Sequence, residues 1–142
     1  MTTDGDSFEI IDLSDAFYRE KGEPTPPARC GKFVVMRNEA DDAEYLVLSP
    51  AAQSVYHTNI VERFCRLERF GIPGHHLKAG GQFVIDDMDW KVAGGGKWET
   101  DEVKKELRFH GSSQAYGTCL LVDLTNRVAG VPVMAGWRIL PY

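Results

Sequence analysis

Residues 94–117 read Gly-Gly-Gly-Lys-Trp-Glu-Thr-Asp-Glu-Val-Lys-Lys-Glu-Leu-Arg-Phe-His-Gly-Ser-Ser-Gln-Ala-Tyr-Gly, and the fold turns on how this stretch is read. Leu107 and Phe109 alternate with Glu106, Arg108 and His110, which is the period of a strand. Lys97–Asp101 and Glu106–His110 are therefore expected to pair as an antiparallel hairpin. The i, i+4 charge pair Asp101/Lys105 also fits a short helix, but glycines at both ends favour strands and turns. Glycine admits a ligand to backbone N–H groups, and turns of successive N–H groups make anion-binding concavities. With Lys97, Ser112 and Ser113 beside such turns, two readings stand. The segment is either an oxyanion site suited to phosphate, or a plain hairpin with glycine at each end.

Upstream, Gln82–Ala93 reads as one extended strand or a strand pair broken at Asp86-Asp87. Ile72–Gly81 reads as a loop. Its adjacent His75 and His76 invite a metal, but no third ligand stands at a recognisable spacing, so solvent-exposed histidines are the reading preferred. Ser49-Pro50 carries a helix-start signal, and Ser54 is a second candidate cap. Ile60, Val61, Phe64 and Leu67 then give one apolar helical face, ended by Gly71. His57 lies three and four residues before Ile60 and Val61, so it points the same way, toward the sheet. It reads as a core residue, a surface residue or a functional one. An imidazole near a helix N-terminus tends to stay neutral, because the dipole disfavours the cation, and neutral imidazole is what a nucleophile or general base requires.

Lys32–Arg37 is a β-branched and apolar run read as a central strand, with Glu44–Leu48 as its partner across a polar turn. Ser14–Arg29, with Gly22, Pro24, Pro26 and Pro27, is expected to be an irregular loop. Phe8–Leu13 fits an edge strand, and residues 1–8 a loose tail. On the other side, Thr118 can cap a helix running to Val128 and closed by Gly130, and Val131–Leu140 reads as a last strand. The expectation is an α/β fold: a single domain over residues 1–142, with a mixed β-sheet of about six strands and two α-helices. Periodicity does not decide which sheet face each helix covers.

Composition narrows the function. The 142 residues are 43% hydrophobic and 26% charged, an ordinary globular balance. A net charge of −5 argues against a general nucleic-acid binder. Three cysteines, Cys30, Cys65 and Cys119, are widely spaced and form no CxxC pair, so reduced thiols in a cytoplasmic protein are expected. The acidic start of the chain does not read as a signal peptide, and no run approaches the roughly 18 apolar residues of a membrane helix.

Four ordered elements together resemble the Janus/Ocnus family, which includes phosphohistidine phosphatases. They are a strand opening with lysine (Lys32 to Arg37), a Tyr-His pair entering a helix (Tyr56-His57), three glycines followed by a basic residue (Gly94 to Lys97), and Gly-x-Ser-x-Ala-Tyr-Gly (Gly111 to Gly117). They cover roughly residues 31–117, with a weaker match to the end. No one element is specific; their order and spacing are. The resemblance implies that His57 is the catalytic residue. It also implies that Lys32, Tyr56, Lys97, Ser113 and Ala115 bind the phosphorylated substrate.

Two departures stand out. Family members carry arginine where Lys97 stands, and a guanidinium fork grips phosphate differently from an ammonium. A histidine found just after the glycine turn in animal members is absent here, where Leu120 and Leu121 stand. What the resemblance implies is a protein phosphohistidine phosphatase, a hydrolase that splits the phosphoramidate bond without metal or other cofactor. His57 would act as nucleophile or general base. Its partners would be phosphohistidine-containing proteins and the phosphate anion, with no nucleic acid or membrane, and the protein would be a cytoplasmic monomer. The alternative is a non-catalytic phosphoprotein-binding or regulatory module that keeps the anion pocket.

Overall fold

Phe33-Val34-Val35-Met36 is apolar at every position because the strand that carries it is covered on both faces. The computed structural model describes residues 7–54, 56–72, 75–77, 83–85, 87–113, 116–117 and 120–141. That central strand is β2 (Ala28–Asn38). It pairs antiparallel with β3 (Ala43–Pro50) on one side and β6 (Trp90–Asp101) on the other. β6 turns back into β7 (Glu106–His110), the expected hairpin, in which Asp101 Oδ1 accepts the N–H groups of Val103 and Lys104. The short-helix alternative at Asp101/Lys105 does not form.

Parallel strands close both edges. β1 (Phe8–Asp12) lies beside β3 and β8 (Arg138–Leu140) beside β7, giving one six-stranded mixed sheet in the order β1-β3-β2-β6-β7-β8. β4 (His75–Leu77) and β5 (Phe83–Ile85) form a separate two-stranded sheet. Side-chain alternation sorts the core into two layers. Val34, Met36 and Val47 pack against Ile60, Val61, Phe64 and Cys65 of α2 (His57–Arg66). Phe33, Val35, Leu46, Trp98 and Phe109 pack against Leu124 and Val128 of α3 (Leu121–Ala129). The two helices therefore cover opposite faces, which settles what the sequence left undecided.

The α/β class and the six-stranded mixed sheet agree with the sequence reading, but the described residues form three α-helices, not two. α1 (Ser14–Glu20) lies inside the stretch expected to be irregular. Its prolines begin only at Pro24, so nothing in Ser14–Glu20 opposes a helix, and Asp12 Oδ1 accepts the Ser14 N–H at its start. Ser49-Pro50 ends β3 and starts no helix; Tyr56, with extended backbone, is the residue before α2, and Asn59 Oδ1 accepts its N–H at 3.0 Å. His75–Leu77 is a strand, not loop. Val131–Leu140 is not one strand: a 3-10 turn at Pro132–Met134 and Gly136 at φ +85° come before β8. Thr118, offered as the α3 cap, lies outside the described residues.

Candidate functional site

The glycine triplet does not make a turn. Gly94, Gly95 and Gly96 lie in mid-strand in β6, and their use is close approach. A Cβ on Gly95 would stand 2.6 Å from the Phe33 carbonyl oxygen, 3.0 Å from His57 Cδ2 and 3.3 Å from Ser113 Cβ. A Cβ on Gly96 would meet the His110 carbonyl oxygen at 2.7 Å and the Phe33 ring at 2.8 Å. The missing side chains let an imidazole from α2 and the loop after β7 rest directly on the sheet. That loop is stapled to the same strand. Ser113 and Gly117 exchange backbone hydrogen bonds, and the Gly117 oxygen also accepts the Gly95 N–H.

His57 is the first residue of α2 and is 8% exposed. Its Nε2 lies 2.9 Å from the Gly96 carbonyl oxygen. A carbonyl oxygen only accepts, so Nε2 carries the hydrogen of the neutral ring and the lone pair sits on Nδ1. Burial holds the His57 pKa below its ordinary value. The bond to Gly96 opposes that shift, and the cations of Lys32 and Lys97 add to it. The ring is thus fixed at Nε2 and biased toward its neutral form, with its lone pair on Nδ1.

Lys32 and Lys97 are register partners on β2 and β6 and stand on the α2 face of the sheet. Lys32 is half-buried, with its Nζ 5.7 Å from the centre of the Tyr56 ring. Tyr56 itself is exposed. Lys97 is exposed, and its stem passes Gly111. From the opposite face, buried Trp98 fixes the backbone here: its Nε1 donates to the carbonyl oxygens of Lys32 (3.0 Å) and Ser49 (3.1 Å). Ser113 is buried beside Gly95, and its Oγ accepts the Tyr116 N–H at 3.2 Å. Ala115 lies outside the described residues.

The structure thus brings His57, Lys32, Lys97, Tyr56 and Ser113 to one region of one sheet face. Beyond the lysines lies a cavity of about 340 Å³, whose described walls include Lys32, Lys97, Ala51, Ser54, Glu99 and His110. Glu99 and His110, 3.2 Å apart, were not singled out by the sequence reading. The strand period could have found them. Glu99 is two residues from Lys97 and so shares its face, and the hairpin register sets His110 opposite Lys97.

Among the described residues no three His, Cys, Asp or Glu side chains gather to hold a metal ion. The side chains of His75 and His76 lie outside that description. No described helix is long and apolar enough to cross a membrane.

Compared with known families, residues 31–128, well over half of the chain, match the family model described as Janus/Ocnus (Ocnus). No curated protein matches the chain.

Proposed function

The chain belongs to the Janus/Ocnus family, which includes phosphohistidine phosphatases, and from that premise we propose that it is itself a protein phosphohistidine phosphatase. The observation that carries the reading is His57: an imidazole anchored at Nε2 and held toward its neutral form, on the sheet face that carries Lys32 and Lys97 on adjacent strands.

Phosphoryl transfer asks a protein mainly for positioning and charge stabilisation. Lys32 and Lys97 hold the phosphoryl oxygens, with Tyr56, the Ser113 hydroxyl and the backbone near Ala115 completing the pocket by family resemblance. His57 Nδ1 attacks phosphorus as the phosphorus–nitrogen bond to the substrate imidazole breaks, and water then hydrolyses the phosphorylated ring; or His57 takes a proton from a water that displaces that imidazole directly. If it attacks, the ring becomes cationic and the Gly96 carbonyl accepts from its Nε2–H throughout. The reaction needs no metal in this scheme. The partners are phosphohistidine-containing proteins, and the free thiols of Cys30 and Cys65 fit a cytoplasmic setting.

The test is phosphate release from a phosphohistidine peptide, in excess chelator, by the unmodified protein and by His57→Ala. Turnover that His57→Ala abolishes supports the reading. Phosphate-dependent binding without turnover would instead select a phosphoprotein-binding module.

A further inference from the structure

In-line displacement at phosphorus places the leaving group opposite the attacking atom. On the α2 face of β6 the order along the strand is Gly95, beneath His57, then Lys97, then Glu99. On β2 the matching order is Val34, Lys32, Cys30. The lysine pair therefore separates His57 from the 340 Å³ cavity, and His57 is not among the residues lining it. A phosphoryl group held between the lysines has the His57 imidazole on one side and this cavity on the other. Gly31 and Ala51 give the cavity small apolar surfaces beside the lysines, suited to a flat ring. The pair of Glu99 and His110 stands on its wall.

We propose that this cavity receives the leaving imidazole of a phosphohistidine side chain, and that Glu99, oriented by His110, holds the proton on that ring's remote nitrogen. The inference rests on the phosphatase reading and assigns a specificity-determining residue to it. The chemistry requires that proton. The phosphorus–nitrogen bond breaks with its electron pair going to the ring nitrogen. An imidazole that already carries a proton, taken from water, on its other nitrogen then departs as a neutral molecule; without that proton it must leave as an anion. Phosphorus gains its new bond from His57 Nδ1, or from a water that gives its proton to His57, and no proton has to pass to the leaving ring in that step. A carboxylate accepting from the remote N–H stabilises the protonated, labile form of the substrate. The neighbouring cations Lys32 and Lys97 act on the phosphoryl oxygens, whereas Glu99 supplies the negative charge that the protonated ring needs.

An aryl phosphate separates this role from general phosphate binding, because a phenolate leaves without a remote proton. The experiment measures kcat/KM on a phosphohistidine peptide and on para-nitrophenyl phosphate for the unmodified protein, Glu99→Ala and Glu99→Gln. The Glu99 side chain is 59% exposed, so truncation leaves the core untouched. Glu99→Ala should lower kcat/KM on the peptide by about 10- to 100-fold, the range of a charge-assisted contact, and on the aryl phosphate by less than about 3-fold. Glu99→Gln, which keeps an acceptor and loses the charge, should fall between. Equal losses on both substrates, or no loss on either, would overturn the proposal while leaving the phosphatase reading intact. No turnover of either substrate by the unmodified protein would overturn both.

Discussion

His57 Cδ2 lies only 3.0 Å from where the Cβ of a side chain on Gly95 would stand. The catalytic geometry proposed for this protein therefore depends on an atom that is not there. Gly95→Ala should push the ring and the Phe33 carbonyl apart, costing about 1–3 kcal/mol of stability, as overpacking does, and removing most activity. Gly130→Ala is the control, since its nearest contact is ordinary at 3.5 Å and its φ is unstrained at −80°. Urea unfolding and phosphohistidine turnover of the two variants make the comparison. Wild-type activity in Gly95→Ala would show that the ring has room this contact denies it.

His57 should titrate below 6.5, its ordinary value, because burial disfavours the cation and the two lysines add to that. Each lysine lowers this pKa, so Lys32→Met and Lys97→Met should each move it back up. The same shift links to stability. The unfolded chain binds a proton near 6.5 and the folded ring resists one, so His57's contribution is full above 6.5 and is lost as pH falls through the lower folded value. Proton NMR of the His57 ring in the three proteins measures the order directly. A midpoint at or above 6.5 in the unmodified protein would contradict the neutral ring on which the mechanism depends.

The two lysines should contribute unequally. Lys32 is half-buried against Tyr56, whereas Lys97 is exposed and has more freedom to lose on clamping an anion. Either lysine-to-alanine change should lower kcat/KM by roughly one to two orders of magnitude, the worth of a charge-assisted contact. Lys97→Arg should keep or raise activity, because a guanidinium fork matches phosphate and space for it exists at the open end of the site. Lys32→Arg should do worse, since a larger planar group must fit beside a ring. Kinetics of the four variants on one phosphohistidine substrate give the ranking. Unchanged kinetics in both alanine variants would move the anion pocket elsewhere.

Much of this arrangement was legible in the chain, for reasons that can be named. Phe33–Met36 and the alternation through Leu107 and Phe109 are local signals, and they placed β2 and the hairpin correctly. Ile60, Val61 and Phe64 likewise marked the buried side of α2, and His57 with it. What failed was local evidence weighed too broadly. Pro24 to Pro27 mask α1 in the sequence although they follow it, and Ser49-Pro50 carries a helix-start pattern at a strand end. Glycine's conformational freedom is visible in sequence, and at the triplet it points to a turn. Its other use, letting His57 and Ser113 sit against a strand, depends on which element lies overhead. No spacing reveals that.

Trp98 offers the last test, because it reaches the site from the far side of the sheet. It is fully buried among Phe33, Phe109 and Leu124, and its indole N–H is shared by the carbonyl oxygens of Lys32 and Ser49. Trp98→Phe keeps an aromatic ring in the core but withdraws that donor. Leaving buried acceptors without it should cost about 1–3 kcal/mol, and the smaller ring adds to the loss by leaving a void. Lys32 keeps its charge and its side chain, so any kinetic effect must come through its backbone. We expect kcat/KM to fall by less than about 10-fold, short of the Lys32→Ala loss, since the contact is loosened and not removed. Urea unfolding gives the stability term, and kinetics well below the unfolding midpoint give the other. A stability loss with wholly unchanged kinetics would mean that Lys32 is positioned by β-sheet pairing alone, and that the indole bond serves only the core.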